Sequence, residues 1–505
     1  MTATQQRQIG SEEFPRTFVA PGARFDDWAT AEPYYKQLVD REIKTLADFE
    51  QWLRDFSEVD AAFDEEGTAR HIAMTCATDD AEREQAFLHY LQNVQPHREP
   101  WAQQLRLKFA ELATRFPLPQ KRYEVLERSV RSAIEIFREE NIPLQVQLAE
   151  MSQQYQKITG AMTVTLRGEE LTIQQAARNL EETDRALREE AWRAISDRYL
   201  QNADELNKLY DDMVRVRHQV AKNADCADFR EYMFKAMQRF DYTPDDCLAF
   251  HDAIEKVCVP AVGRLFEQRR EKLGLKSLRP WDLDVDIDQR PPLRPFKNDD
   301  ELVAGCSKIF HKVDGELGDI FDNLSQRGLL DLGSRKGKAP GGYQATYNEK
   351  RLPFIFMNAV GTESDVRTLL HEGGHAFHTW SCRNDPLDAY RTYPIEFAEV
   401  ASMGMEMLCL PHVDVFYGSE TDRARKRFLE GIVTFFPFMA RVDAFQHWVY
   451  TNVNATTAQR QAHWQSLTKR FSPHIDWSGL ENYDRDSWHR KLHIFEVPFY
   501  YVEYG

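Results

Sequence analysis

Two histidines and a glutamate in the second half of the sequence have a spacing that suits metal-assisted hydrolysis. His371, Glu372 and His375 form the pattern His-Glu-x-x-His within the segment GTESDVRTLLHEGGHAFHTW. On a helix, residues i and i+4 lie one turn apart on the same face, so both imidazoles can reach one zinc ion. Glu372 is rotated by about 100° from His371 and would lie beside the metal, where a carboxylate can take a proton from an activated water. The pattern therefore predicts a zinc site with Glu372 as general base.

The helix that must carry these residues is predicted to begin near residue 363. Thr362 followed by Asp365 is a capping-box-like start, and the acidic Glu363 in the first turn suits the positive end of a helix. His378 lies seven residues after His371 and extends the same histidine stripe. It could orient a metal ligand, contact a substrate, or simply pack against a neighbouring element.

Two adjacent glycines in the middle of this helix need an explanation. Gly373 and Gly374 cost about 1 kcal/mol each relative to alanine, so we expect a closely approaching backbone or substrate beside them.

The alternative to a metal site at His371 and His375 is a solvated helix face that carries two ordinary histidines.

A third metal ligand is expected from the segment YPIEFAEVASMGMEML at residues 393–408. Pro394 suits the start of a helix, and the helix after it carries Glu396, Glu399 and Glu406, the last two on one face. Helical spacing alone leaves both Glu396 and Glu399 as candidate ligands. Each of them could also lie on a solvated face.

Two other kinds of site are excluded by their spacing. The three-histidine zinc motif needs Gly at position 378 and His at position 381, whereas this chain has His378 and Ser381. The run GSRKGKA at residues 333–339 has the wrong glycine spacing for a phosphate loop, and it ends in alanine where Ser or Thr must hold magnesium.

The rest of the sequence predicts a mainly α-helical protein. Apolar residues recur at helical spacing over most of the first 275 residues, interrupted at residues 163–173 by an alternating pattern typical of a short hairpin. Four prolines in residues 278–296 predict an extended connection, and residues 342–347 and 353–358 predict two short strands of a small sheet before the metal helix. The second strand, with Phe354, Phe356 and Asn358, is expected to present an edge to which an extended peptide adds as a further strand.

The composition excludes some classes of protein and some classes of binding partner. A chain of 505 residues can bury a large core, and its formal net charge of −17 disfavours nucleic acids and anionic membranes as partners. The seven cysteines are scattered and form no Cys-x-x-Cys pair, which is typical of a reducing compartment. The N-terminal sequence has no apolar run of the kind that a secretory signal needs, so a cytoplasmic protein is expected.

The motifs together resemble a known family. The segments GKAPGGYQAT, LPFIFMN, TLLHEGGHAFH and PIEFAEVASMGMEML are similar to the zinc oligopeptidase family that includes thimet oligopeptidase and oligoendopeptidase F, and are closer to the latter branch. The resemblance implies one zinc ion held by His371, His375 and Glu399, with Glu406 as a companion in the same helix. It also implies two helical lobes around a deep channel, and hydrolysis of internal bonds in short unstructured peptides.

The resemblance extends to the C-terminal segment HIFEVPFYYVEYG. In the family, a histidine followed by tyrosines contacts the substrate carbonyl and the developing oxyanion, which implies this role for His493 with Tyr500, Tyr501 or Tyr504. An aromatic packing stripe is the alternative for the tyrosines. Most relatives carry a bulky apolar residue where Gly373 stands, which implies a wider wall next to the zinc in this chain.

The two lobes that the resemblance implies are predicted at residues 1–190 and residues 191–505, the second carrying the zinc helices at 363–380 and 395–409. Two other functions are weighed against the oligoendopeptidase. One is an all-helical zinc carboxypeptidase, which would need a site for a free C-terminal carboxylate. The other is a non-catalytic peptide-binding protein of the same fold. The oligomeric state is left open by the sequence.

Overall fold

A computed structural model describes residues 13–505, and this part of the chain is mainly α-helical, as predicted. Its earlier helices are α1 (Trp28–Asp40), α2 (Leu46–Thr75), α3 (Ala81–Asn93), α4 (Gln95–Arg115), α5 (Gln120–Ile136), α6 (Ile142–Gly160), α7 (Ile173–Ala177), α8 (Arg185–Gln201), α9 (Ala203–Asn223) and α10 (Phe229–Ala236). Its later helices are α11 (Pro244–Lys272), α12 (Asp299–Val313), α13 (Gly315–Gln326), α14 (Glu363–Cys382), α15 (Ile395–Cys409), α16 (Asp414–Tyr417), α17 (Thr421–Thr451), α18 (Thr457–Phe471), α19 (Glu481–Arg485) and α20 (Leu492–Glu496). Within residues 13–505, every helix is too short or too polar to cross a lipid bilayer.

The predicted hairpin is present. Strands β1 (Thr163–Leu166) and β2 (Glu169–Thr172) pair in antiparallel fashion, with Thr163 opposite Thr172. Arg167 and Gly168 form the turn with φ values of 51° and 89°, the left-handed conformation that a two-residue hairpin turn requires. The proline-rich connection between α11 and α12 also follows the prediction, because its only regular element is a single 3-10 turn at Pro280–Asp282.

A small three-stranded sheet precedes α14, the metal-motif helix, which carries the His-Glu-x-x-His motif. Its strands are β3 (Leu330–Gly333), β4 (Tyr343–Tyr347) and β5 (Leu352–Ala359), in the order β3-β5-β4, with β3 parallel and β4 antiparallel to β5. The two predicted strands are confirmed. The third, β3, was not predicted, since four residues with little alternation give no clear signal.

The prediction that the second strand offers a free edge is wrong, because β5 is the central strand and both its edges are paired. Phe354 and Phe356 are buried, and the Asn358 amide donates hydrogen bonds of 2.9 Å to the carbonyls of Ala339 and Gly341. The edge strand next to the metal-motif helix is β4 instead. Any peptide that adds to this sheet from that side would therefore pair with β4.

Three large apolar cores, and a small fourth cluster of Trp192, Trp281 and Leu480, support the fold of the described residues. One lies among α1–α5, a second joins the sheet to α12–α15, and a third joins α6 and α8–α11 to the second half of α17 and to the C-terminal residues. A cavity of about 1160 Å³ is lined by residues from α2, α3, α5, α6 and α10 and from the segments before α15 and after α20. The predicted division of the chain at residue 190 stays a prediction.

The two glycines of α14 are explained by helix packing. A Cβ atom on Gly374 would lie 2.6 Å from both the Ala401 carbonyl oxygen and the Ser402 Cα in α15, so the two backbones are in near contact. A Cβ atom on Gly373 would lie 2.6 Å from Cζ of Phe310 in α12. Gly373 therefore faces the apolar core, and the expected widening of the wall next to the metal finds no support.

Gly374→Ala is expected to destabilise the protein by about 1–3 kcal/mol, because the new methyl group would push α15 away from α14. Gly404→Ala is the matched control, since Gly404 lies in α15 with no atom near its added Cβ. That substitution should leave stability unchanged or raise it by up to about 1 kcal/mol through helix propensity. Thermal denaturation of both variants tests the contrast, and equal melting temperatures would contradict it.

Candidate metal centre

The metal-motif helix begins where the sequence predicts. Asp365 accepts a 2.7 Å hydrogen bond from the Thr362 backbone N–H, and Thr362 Oγ1 accepts one of 3.3 Å from the Asp365 backbone N–H. This capping box fixes the start of α14 four residues after the end of β5. Because α14 begins at a fixed distance along the chain from β5, His371 and His375 have a defined position relative to the sheet.

Two imidazoles and one carboxylate converge between α14 and α15. Glu399 Oε2 lies 3.3 Å from His371 Nε2 and 3.7 Å from His375 Nε2, and the three ligand atoms lie within 4.8 Å of one another. Glu396, one turn earlier in α15, is outside this cluster. Of the two glutamates that helical spacing leaves open, the structure brings Glu399 to the histidines.

The Glu399 carboxylate is only 1% exposed, and its charge is balanced by several neighbours. Ser402 Oγ donates a 2.8 Å hydrogen bond to Oε2, and the Tyr500 hydroxyl donates one to Oε1. Burial by itself would raise the pKa of Glu399, but the hydrogen bond and charge of His371 outweigh it and hold that pKa below its usual value. The carboxylate is therefore ionised and available to a cation.

The two histidines have different electrostatic surroundings. Burial lowers the pKa of His375 to about 4. Burial also disfavours the charged form of His371, but hydrogen bonds to Glu399 and Glu406 outweigh it and raise its pKa to about 10. A cation at this site would thus replace the proton that His371 shares with the carboxylates.

Glu406 orients the first histidine. Its Oε1 lies 2.7 Å from His371 Nδ1, and its Oε2 accepts a 2.5 Å hydrogen bond from Arg367 Nε. A carboxylate that holds one ring nitrogen fixes the tautomer and leaves the other nitrogen, here Nε2, free to face a metal ion. The contact places Glu406 beside the first histidine, and the companion role that the family resemblance implies for it stays a prediction.

Glu372 is a buried carboxylate with an unpaired oxygen. The side chain is 5% exposed, and within the described residues its Oε2 has no hydrogen-bond partner. Burial raises its pKa to about 7. A Cβ atom on Gly342, just before β4, would lie 3.5 Å from Glu372 Oε1, so this carboxylate faces the edge strand of the sheet.

His378 is not part of the cluster. Its ring stacks on Tyr393 with centroids 3.5 Å apart, and Tyr393 lines the large cavity. Of the roles considered for His378, packing beside the cavity agrees best with this contact.

The C-terminal aromatic residues take three different positions. The Tyr500 hydroxyl reaches Glu399, whereas the Tyr504 hydroxyl lies 3.3 Å from His493 Nε2 and its ring centroid lies 6.3 Å from that of His371. Tyr501 is buried and its ring packs against Phe435. Tyr500 and Tyr504 therefore face the cluster, while Tyr501 belongs to the apolar core.

The position of Tyr500 depends on a strained residue before it. Phe499 has φ of +67°, a left-handed conformation that is costly for an aromatic residue. Its backbone N–H donates a 2.6 Å hydrogen bond to Gln446 Oε1, and its carbonyl accepts one from Arg239 Nη2. No sequence pattern predicts these contacts, because they join a backbone to side chains far away in the chain.

Comparisons with known proteins show the family of the chain. Residues 179–505 match the sequence model of peptidase family M3. An oligoendopeptidase F homolog of Borreliella burgdorferi is 25% identical over 346 residues, which are 65% of this chain and 55% of that protein. The group B oligopeptidase PepB of Streptococcus agalactiae is 25% identical over 229 residues, which are 44% of this chain and 36% of that protein. The chain thus spans about half the length of the first relative and about a third of the second.

Solved structures share the fold over nearly the whole chain. A crystal structure of an oligoendopeptidase F has a TM-score of 0.92 at 25% identity and covers 98% of this chain and 87% of its own. Pz peptidase A, solved with an inhibitor, has a TM-score of 0.89 at 24% identity and covers 94% and 85% of the two chains. The resemblance to the oligoendopeptidase F branch is confirmed.

The two glutamates of α15 give a direct test of the metal centre. Glu399→Ala is expected to reduce the zinc content of the purified protein to well below that of the unmodified chain, because it removes a ligand atom from the cluster. Glu396→Ala changes a residue of the same helix outside the cluster and should leave zinc content unchanged. Zinc is measured by mass spectrometry after dialysis against a weak chelator. The reverse pattern would overturn the choice of Glu399.

Proposed function

Because the chain belongs to peptidase family M3, we propose that it is a zinc-dependent oligoendopeptidase, which hydrolyses internal bonds of short unstructured peptides. The observation that carries this proposal is the convergence of His371, His375 and Glu399 beside the buried, unpaired carboxylate of Glu372. Two imidazoles and one carboxylate are a ligand set of hydrolytic zinc enzymes.

The residues present fit a zinc ion. Both ring Nε2 atoms and one carboxylate oxygen point to a common region, and the other nitrogen of His371 is already occupied by Glu406. Three protein ligands leave a position for water or substrate. Zinc bound there would supply Lewis-acid activation of a water molecule and of the scissile carbonyl.

The protein's own groups would carry the proton transfers. Glu372, with a pKa raised to about 7 by burial, is suited both to accept a proton from the attacking water and to donate it to the leaving amine. The hydroxyl of Tyr500 or Tyr504 would donate a hydrogen bond to the oxyanion of the tetrahedral intermediate. His493, next to Tyr504, would hold that hydroxyl in position.

The surroundings of the site support peptides as substrates. The cavity of about 1160 Å³ has a largely apolar and aromatic lining that includes Phe87, Leu126, Met233, Tyr393 and Tyr500. The edge of β4 faces Glu372 and has no strand partner among residues 13–505. An extended peptide could pair with β4 through its backbone, which would allow many different side chains at the cleavage site.

We also propose a cytoplasmic location. All seven cysteines lie in the described part of the chain, and all are free thiols. Free, scattered cysteines are typical of proteins in reducing compartments.

The proposed function is tested with a ten-residue peptide blocked at both ends, incubated with the purified protein with and without a metal chelator. Internal cleavage that the chelator stops and added zinc restores is the expected result, and mass spectrometry of the products identifies the bond. A carboxypeptidase would leave the blocked peptide intact but shorten the same peptide with a free C-terminus. A peptide-binding protein would bind both peptides and cleave neither.

Glu372→Gln keeps the size of the side chain but cannot accept the proton. We expect kcat for the blocked peptide to fall by about 10²- to 10⁴-fold, with zinc content unchanged, because Glu372 is not among the ligand atoms. The variant is measured side by side with the unmodified protein. If its turnover is undiminished, Glu372 is not the general base.

Tyr500→Phe removes the hydroxyl that reaches the metal centre. Loss of an oxyanion donor is expected to lower kcat by about 10²- to 10³-fold with a smaller change in KM. Tyr501→Phe is the matched control, since the Tyr501 ring packs in the core and the substitution should leave kcat within a few-fold of the unmodified enzyme. Equal effects of the two substitutions would argue against a catalytic role for Tyr500.

A further inference from the structure

A second cluster of metal-ligating side chains lies between α11 and α17, away from the site described above. Its members are Cys247 and His251 on α11 and Asp443 and His447 on α17. Each pair has i, i+4 spacing, which places its two side chains on one face of the helix. The two helices pack together so that both pairs face the same interior position.

The geometry of this cluster is comparable to that of the first. The ligand atoms of Cys247, Asp443 and His447 lie within 4.8 Å of one another, the same limit that the cluster of His371, His375 and Glu399 meets. His447 Nε2 lies 3.3 Å from Asp443 Oδ2, and His251 Nε2 lies 2.8 Å from the same oxygen. His251 therefore holds the carboxylate in place, as an outer partner commonly does for a metal ligand.

Several atoms of the cluster are buried without a partner. Cys247, His251, Asp443 and His447 are exposed by 3%, 1%, 0% and 3%. Among the residues that the structure describes, Asp443 Oδ1 and His447 Nδ1 have no hydrogen-bond partner, and His447 Nε2 has only its 3.3 Å contact with Asp443 Oδ2. Unpaired polar atoms in a dry interior destabilise a protein, so a native structure normally provides them with a partner.

We infer that Cys247, Asp443 and His447 bind a second divalent metal ion, for which Zn²⁺ fits the donor set of one sulfur, one oxygen and one nitrogen. Zinc accepts thiolate, imidazole and carboxylate ligands together, whereas magnesium and calcium prefer oxygen alone. A bound cation would satisfy the unpaired oxygen and one nitrogen, and it would offset the charge of the fully buried carboxylate.

The position of this ion indicates a structural role. The His447 ring lies 5.2 Å, between centroids, from the ring of Phe499, and the neighbouring Gln446 accepts the hydrogen bond from the Phe499 backbone. An ion that joins α11 to α17 would thus stiffen the support behind Tyr500. It would not contact the substrate, since the cluster is closed to the cavity that contains Tyr500.

The first test is metal content. The full chain is incubated with excess Zn²⁺, passed through a desalting column, and analysed by mass spectrometry. We expect two zinc ions per chain for the unmodified protein and one for the double variant His371→Ala/His375→Ala, which removes only the first cluster. One ion in the unmodified protein and none in the double variant would overturn the second site, whatever the peptidase activity.

The second test identifies the cysteine. Cobalt bound to a thiolate absorbs strongly in the near ultraviolet, and the first cluster contains no sulfur ligand. Co²⁺-loaded protein should show this band in the unmodified chain and in the double variant. The band should vanish in Cys247→Ser and persist in Cys258→Ser, a matched change of a free cysteine in the same helix.

Circular dichroism checks that each variant is folded. If Cys247→Ser does not fold, the double variant still tests for a second site, because one bound Co²⁺ with a thiolate band there cannot come from the first cluster. Co²⁺ bound without such a band, or a band that survives Cys247→Ser, would overturn the assignment.

Discussion

The burial of the Glu399 carboxylate against two imidazoles is the interaction on which the rest of the site depends. A charge removed from water is costly unless it is paired, and here His371, Ser402 and Tyr500 together provide the pairing. That arrangement requires α14 and α15 to approach until their backbones are almost in contact, which a side chain at position 374 would prevent. The glycine and the carboxylate are therefore two parts of one constraint: close helix packing makes the buried charge possible, and the charge explains why such close packing is needed.

The strained backbone of Phe499 is a second constraint. The groups that stabilise it lie on the side of the site opposite to α14 and α15. A left-handed aromatic residue persists only when its surroundings hold it firmly. Gln446 and Arg239 bind its two backbone groups from different elements, and α17, which carries Gln446, is packed on α11 through the cluster around Asp443. Polar groups buried deep behind the site thus determine where the Tyr500 hydroxyl lies. Support of this kind is common where a catalytic group must be placed accurately but sits on a short loop.

Much of the site could be predicted because its signals are local. The capping box at Thr362 and Asp365 and the proline before Ile395 mark the starts of both helices, and the His-Glu-x-x-His spacing identifies the residues of one of them. Contacts between distant segments could not be predicted. Glu396 and Glu399 differ by less than one helical turn, so helical spacing does not separate them; the family resemblance implies Glu399, and the packing of α15 places it at the histidines. The central position of β5 depends on its pairing with β3 and β4, and the backbone contacts of Phe499 depend on residues more than 50 positions away.

The hydrogen bond between Tyr500 and Glu399 joins two different cores. Tyr500 is flanked by Phe499 and Tyr501, which pack with α9–α11 and α17, whereas Glu399 lies on α15, which packs with the sheet. A movement of one core away from the other by a few ångströms would break this bond and withdraw the hydroxyl from the histidines. Wide opening for entry of a peptide and full assembly of the reactive groups would then be mutually exclusive states. Opening and closing would then set an upper limit on turnover, independent of the chemical step.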